Sequence, residues 1–345
     1  MKSKRFWLLA SMAAVVFGLP SCSSDSDTTE INTSPAELKI TASMTPSIEV
    51  TTRAVPNLQS TDLNDFTNVG IYVWYTGQTA NVSSPVVYSG YANDKVASYT
   101  GTGPYTLTPT TTPMYFPINN ADVDVYLYAP YKASPTQTNM CMEHTVATDQ
   151  SLTADYVASD FIYGMATADY DDGTYPKEAR VTMYHAMSKI IFNVVNDGVD
   201  PTNMTNISIS NINTKTTINM PQAIANAAPY LSCGSNATNN VAVASVPATI
   251  TVWGTAGTGA VSAANTANGV AVIVPPQTTD ANSKVSVVVD GKTATANFNG
   301  ITLAPGYVYT YNLKLKGQSL TITLVSITDW VSGGAAQDLN FDNWS

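Results

Sequence analysis

Residues 37–51 alternate strictly. Glu37, Lys39, Thr41, Ser43, Thr45, Ser47, Glu49 and Thr51 are polar, and Leu38, Ile40, Ala42, Met44, Ile48 and Val50 fall between them, with Pro46 at the remaining even position. Period two sends one set of side chains to a buried face and the other to water, so the segment is a strand that needs a core to lean on. Pro46 has no N–H for a ladder, which places the strand at a sheet edge or breaks it there. Fully extended, the segment would reach roughly 50 Å, a strip laid along a body rather than one arm of a hairpin. Thr51 to Asn57 follow with Pro56 among them, and Pro56 makes this an open linker without regular structure.

The rest of the 345 residues suits the same architecture. Charged residues make up only 12 %, about half the usual share, and Tyr (19) outnumbers Phe (8) and Trp (5). Residues of this kind fit a pleated, half-wet surface better than a helix. Short alternating runs recur with turn residues between them: Val69–Tyr75, Val123–Ala129, Asp160–Met165, Ala179–His185 and Lys189–Val195. Thr205–Ile212, Ala248–Trp253, Gly269–Val274, Lys284–Val289, Tyr307–Lys316 and Ser319–Ile327 form a second set. Asp290-Gly291 is a hairpin turn signal. Strands at this spacing predict an all-β chain of sandwiches, with at most one helical turn near Asp62–Phe66. Asp197-Gly198 followed by Pro201 divides it into an N-terminal domain over 54–196 and a C-terminal domain over 197–345. The net charge of −10, with no basic cluster beyond Lys2, Lys4 and Arg5, excludes nucleic acid as a partner.

The N-terminus reads as an address. Lys2, Lys4 and Arg5 precede the apolar stretch Phe6–Leu19, too short for a comfortable membrane span, so 1–21 is a secretory signal. Leu19-Pro20-Ser21-Cys22 resembles a bacterial lipobox, which makes Cys22 the acylated (palmitoyl-type) first residue of the mature chain; the alternative is an ordinary signal peptide before an incidental cysteine. The tract Ser23-Ser24-Asp25-Ser26-Asp27 is similar to the export signal of Bacteroidetes surface lipoproteins, and it would equally serve as a polar tether. Residues 22–53 are then tether and propeptide.

Groups able to do chemistry are few. His144 and His185 are the only histidines, without the neighbours of a metal site or triad; His185 is expected to be a hydrogen-bonded structural residue. Gly101-Thr102-Gly103 runs into Pro104 rather than a helix, which excludes a phosphate cradle. Asp169, Asp171, Asp172 and Gly173 suggest a calcium loop, but its closing acidic ligand is missing. Trp74, Trp253, Trp330 and Trp344 could stack on sugars or fill cores. Cys141 and Cys233 could pair or stay apart. No catalytic, cofactor or metal site is expected, and the chain is not read as an enzyme. The arginines are Arg5, Arg53 and Arg180. Arg5 leaves with the signal and Arg180 lies in a predicted strand, so Arg53, in the open linker, is the one good target for an arginine-specific protease.

Several pieces together resemble a known family. Val69-Gly70-Ile71-Tyr72-Val73, Tyr115-Phe116-Pro117, Tyr126-Leu127-Tyr128-Ala129-Pro130-Tyr131, Ser159-Asp160-Phe161-Ile162-Tyr163-Gly164, Tyr184-His185-Ala186-Met187-Ser188-Lys189-Ile190 and Ile327-Thr328-Asp329-Trp330 occur in this order, after a lipobox and an Arg-Ala pair. In that order they look like a fimbrillin of the Bacteroidales, the major pilus-subunit type. The resemblance implies two tandem transthyretin-like β-sandwich domains preceded by a removable N-terminal strand. It also implies an outer-membrane lipoprotein precursor, cut by an extracellular protease of the gingipain type after Arg53 so that Ala54 becomes the N-terminus. The product would be a cell-surface fimbrium in which copies of the chain and other pilus subunits join by strand exchange and support adhesion.

On this reading the strip bearing Leu38, Ile40, Ala42, Met44, Ile48 and Val50 covers a groove in its own subunit until it is released. The donor that refills a neighbour's groove is either the C-terminal tail, where Leu339, Phe341 and Trp344 alternate with polar residues, or the new N-terminal segment around Val55 and Leu58. A pilus anchor or tip protein of the same superfamily, and a monomeric surface glycan-binding lipoprotein, remain the alternatives.

Overall fold

The structure, a computed structural model, describes residues 36–44, 68–75, 93–101, 104–133, 141–171, 173, 177–196, 204–219, 247–254, 270–316 and 319–330. In chain order the strands are β1 (Lys39–Met44), β2 (Gly70–Tyr75), β3 (Asp94–Thr100), β4 (Tyr105–Pro109), β5 (Val123–Ala129) and β6 (Cys141–Thr145). After helix α1 (Thr153–Ser159) come β7 (Ile162–Ala168), β8 (Glu178–His185), β9 (Ser188–Asn196), β10 (Met204–Asn213), β11 (Lys215–Asn219), β12 (Pro247–Gly254) and β13 (Val270–Val274). Then follow β14 (Gln277–Thr278), β15 (Lys284–Val289), β16 (Lys292–Asn297), β17 (Thr302–Leu303), β18 (Tyr307–Lys316) and β19 (Ser319–Asp329). The chain is all-β, as its composition predicts. Helix α1 is unforeseen, and the turn expected at 62–66 lies outside the described residues. Among the described residues no helix is long and apolar enough to cross a membrane.

The first seven-stranded unit is a ring with the order β1-β4-β3-β2-β5-β7-β8. Its two corners are thin. Strands β2 and β3 share two register pairs, Gly70↔Lys95 and Ile71↔Asp94, and β7 meets β8 at Ile162↔His185 and Tyr163↔Tyr184. The ring is therefore two sheets, β3-β4-β1-β8 and β2-β5-β7, sewn together at those corners. Gly164 lies at one of them because nothing larger fits: a Cβ there would stand 2.3 Å from the Thr182 carbonyl oxygen. Leu38, Ile40, Ile71, Val73, Leu107, Phe116, Val125, Leu127 and Val181 are among the side chains that fill the ring.

The second unit is a sandwich of β12-β10-β15-β16 on β13-β9-β18-β19. Ile207, Ile209, Ile250, Val285 and Val287 of the first sheet share a core with Ile190, Phe192, Val272 and Leu313 of the second. Strand β9 runs parallel to β18 from Lys189↔Val308 to Asn196↔Leu315. The Asp290-Gly291 turn joins β15 to β16, with φ of 51° and 69° at its two residues, the left-handed geometry that a tight hairpin needs.

Strand β5 links the two cores, because every one of its residues is buried. Val123, Val125, Leu127 and Ala129 point into the ring, while Tyr126 and Tyr128 belong to the sandwich core with Trp74 and Tyr163. Sequence alternation marks these tyrosines as a wet face; burial beneath the second core overrides it. The β6–β11 ladder, Cys141↔Asn219 to Thr145↔Lys215, also bridges distant stretches of the chain.

His144 in β6 offers a pH test of this junction. Its imidazole is buried against Phe161, ring centroids 5.4 Å apart, and Nε2 lies 2.9 Å from the Ser159 carbonyl. Burial pushes the imidazole pKa down to about 4, with the Ser159 carbonyl partly opposing that shift. The folded pKa lies below the unfolded value of about 6.5, so the unfolded chain binds the extra proton first. Stability is full above about pH 6.5 and is lost as the pH falls towards 4, by roughly 2–3 kcal/mol from this residue. Urea unfolding at pH 7 and pH 4.5 should show a smaller acid loss in His144→Gln than in the wild type; equal losses would contradict the assignment.

Candidate functional site: the slot of the leading strand

Strand β1 is the first strand among the described residues, and its neighbours come from far along the chain. On one side it runs antiparallel to β4, with Ile40↔Leu107 and Ala42↔Tyr105. On the other it runs parallel to β8 over six register pairs, from Lys39↔Glu178 to Met44↔Met183. The ladder extends before the strand proper: Leu38 N–H donates to the Met114 carbonyl at 2.8 Å, Phe116 N–H to Ala36 at 2.9 Å, and Lys39 N–H to Lys177 at 2.8 Å. The strand is thus interior to its sheet and not at an edge, which is one of the two outcomes that Pro46 allows. Pro46 lies outside the described residues, and β1 ends at Met44. Without β1, β4 and β8 would each present an open edge and the ring would be a split sheet.

Inward, Leu38, Ile40 and Ala42 are all at most 4 % exposed and share the ring's core with Leu107, Met114, Phe116, Ala179 and Val181. Each large apolar side chain so buried contributes ~1.5–3 kcal/mol before ordering costs. Outward, Thr41 departs from its predicted wet position, being 3 % exposed. Its hydroxyl donates to the Glu178 carboxylate, which also takes Lys39 at 3.5 Å and Arg180 Nε at 2.9 Å. Burial pushes the Glu178 carboxyl up, but the Thr41 and Arg180 hydrogen bonds and the Lys39 charge outweigh it and hold the group below the usual carboxylate range.

The slot therefore accepts a strand of one direction with alternate apolar side chains, and outside it marks the third and fifth residues of the 37–44 run with a shared carboxylate. Glu178 carries no motif of its own. Its role was recoverable in principle from the Ala179, Val181 and Met183 alternation, but not its pairing with a strand 139 positions earlier at Lys39.

The other sequence candidates are placed as follows. The Met44 side chain, Ile48, Val50, Cys22, Arg53, Ala54, Leu339, Phe341 and Trp344 lie outside what is described, as do Val55 and Leu58. So do Cys233 and the Cys141 side chain. His185 is buried, its Nδ1 2.7 Å from Asp160 Oδ2, and its ring stacks on Trp330 at 4.0 Å and 5°. Trp74, Trp253 and Trp330 are all buried, which puts them in cores and not on a sugar-facing surface. Asp169 and Asp171 form a local turn, the Asp171 N–H donating to Asp169 Oδ1 at 2.7 Å. Among the described residues no group of three or more His, Cys, Asp or Glu could hold a metal ion.

The body is all-β, with an N-terminal strand seated between β4 and β8. The chain belongs to the fimbrillin-like family, whose sequence pattern matches residues 52–330. That family consists of structural proteins of fimbriae, not enzymes, and this chain is one of them. No curated protein matches the sequence. Solved structures of similar fold include two cell adhesion candidates. One is a candidate cell adhesion protein from Bacteroides ovatus, 16 % identical, with a TM-score of 0.59 and covering 87 % of this chain and 100 % of that one. The other is a candidate cell adhesion protein from Bacteroides uniformis, also 16 % identical, with a TM-score of 0.56 and covering 87 % and 99 %.

Proposed function

We propose that this chain is a shaft subunit of a cell-surface pilus, assembled by exchange of the strand in the β4–β8 slot and serving adhesion. The observation that carries this reading is the leading strand itself: Leu38, Ile40 and Ala42 fill the ring, yet they precede the residues, 52–330, that match the family. A core strand joined to its body through the Arg53 linker is separable by one cut.

The steps follow from the physics of an unfilled sheet. Acyl chains on Cys22 hold the precursor at the outer membrane. Hydrolysis after Arg53 leaves 22–53 bound only non-covalently and makes Ala54 the N-terminus. Departure of β1 bares Leu107, Phe116 and Val181 between two open edges, an arrangement unstable in water. A strand of another subunit, from the Leu339, Phe341 and Trp344 tail or from the segment around Val55 and Leu58, completes the sheet by β-augmentation. Donor and slot are different surfaces, so the contact is heterologous and propagates as a filament. The ring, which ends at β8, and the sandwich, which takes in β9, travel together through these steps.

An Arg53→Ala variant should remain a lipidated precursor on the cell and give no fibres by negative-stain microscopy. Removal of 335–345 should leave monomers if the tail is the donor. Normal fibres from Arg53→Ala would refute maturation at this residue, and shed protein that retains Cys22 would favour an anchor or a binding protein over a shaft subunit.

A further inference from the structure

Arg180 has a side chain 80 % exposed on a backbone that is held fast. Its guanidinium pairs with Glu178 two residues away, and because the arginine end of that pair lies in water the contact holds it weakly. The backbone is another matter. A protease takes its substrate as an extended strand and pairs with that strand's N–H and C=O groups. Around Arg180 the register partner is Thr41, and β1 pairs with β8 from Glu178 to Met183. The other neighbour, β7, pairs with β8 at Tyr184 and His185. From 178 to 183, then, β1 is the ladder partner described for this strand. Ala179 and Val181, flanking Arg180, are anchored in the same core as Leu38, Ile40 and Ala42, so loss of β1 removes backbone pairing and packing together. Local opening becomes easier where few contacts remain, and cleavage follows the open population.

We propose that Arg180 is a latent cleavage site for an arginine-specific endoprotease, masked by the strand in the β4–β8 slot. Water adds across the Arg180–Val181 peptide bond, leaving a carboxylate on Arg180 and an amino group on Val181; the protease supplies the catalysis. Arg180 is the single arginine after residue 53, so such an enzyme would have one target in the mature body and would reach it when the slot is empty. A subunit that has lost β1 without receiving a replacement is cut through the middle of its ring, and a filled subunit is spared. This rests on the reading that β1 leaves the slot, but masking itself is testable without any fibre.

The test uses the full chain with Arg53→Ala, so that β1 stays attached, alone and combined with Ile40→Asp, which undocks it. Both are treated with a purified arginine-specific endoprotease, and the fragment starting at Val181 is followed by mass spectrometry. Undocking should speed that cut at least about tenfold. A synthetic peptide of residues 36–44 in excess should slow it again where a scrambled peptide does not, and Arg180→Lys should abolish it. The milder Ile40→Ala, with an intermediate rate, covers the case in which Ile40→Asp unfolds the whole body. Equal rates with β1 docked and undocked, or no cut after undocking seen by hydrogen exchange, would overturn the proposal. Masking without fibres in cells would instead count against the pilus reading alone.

Discussion

Ile40→Asp is expected to release the leading strand and lower the stability of the body by about 3–5 kcal/mol, from the lost aliphatic packing and an unpaired carboxylate in a dry core. Ile40 is 1 % exposed and pairs with Leu107 and Ala179 on its two sides. Hydrogen exchange should speed up in 36–44 and along the facing edges of β4 and β8, with the sandwich sheets unchanged. Lys39→Ala is the contrasting variant: its partner Glu178 is 3.5 Å away at a site where Lys39 is 38 % exposed, so about 0.5 kcal/mol or less is at stake. Wild-type protection of 36–44 in Ile40→Asp would mean that the slot is not what holds the strand.

The second large effect is expected at Trp330. It is 2 % exposed, stacks on His185, carries the Lys189 ammonium 5.5 Å from its ring centroid, and donates its backbone N–H to Gly306 at 2.6 Å. It thereby ties the end of β19 to the end of β8, while Asp160 grips the other side of His185 next to α1. Trp330→Ala should cost about 3–5 kcal/mol in chemical denaturation, and Trp330→Phe distinctly less. A loss below about 1 kcal/mol would show that the junction does not depend on the indole.

What the sequence discloses follows from how local each signal is. Val123–Ala129 and Lys284–Val289 are read to the residue, because alternation and the Asp-Gly turn are local. Strands β3, β4, β6 and β11 escape notice: DKVASYT, YTLTP, CMEHT and KTTIN carry too few apolar residues to separate from Thr-rich loop. Helix α1, seven residues long, is too short to show a period. At the slot, Leu38, Ile40 and Ala42 are legible as a face that must be buried. Against what is not legible, since β8 is reached only across more than a hundred residues. The buried Thr41 has no local signal either, because its hydroxyl is satisfied by a carboxylate from that distant strand.

Because β5 is dry on both sides, the ring and the sandwich grip one common ribbon. A pull applied across that ribbon meets no soft joint among the described residues of the ribbon. Anything built by stringing such bodies together must take up its bending at the links between them, so the suppleness of the whole is decided by those links and not by the bodies.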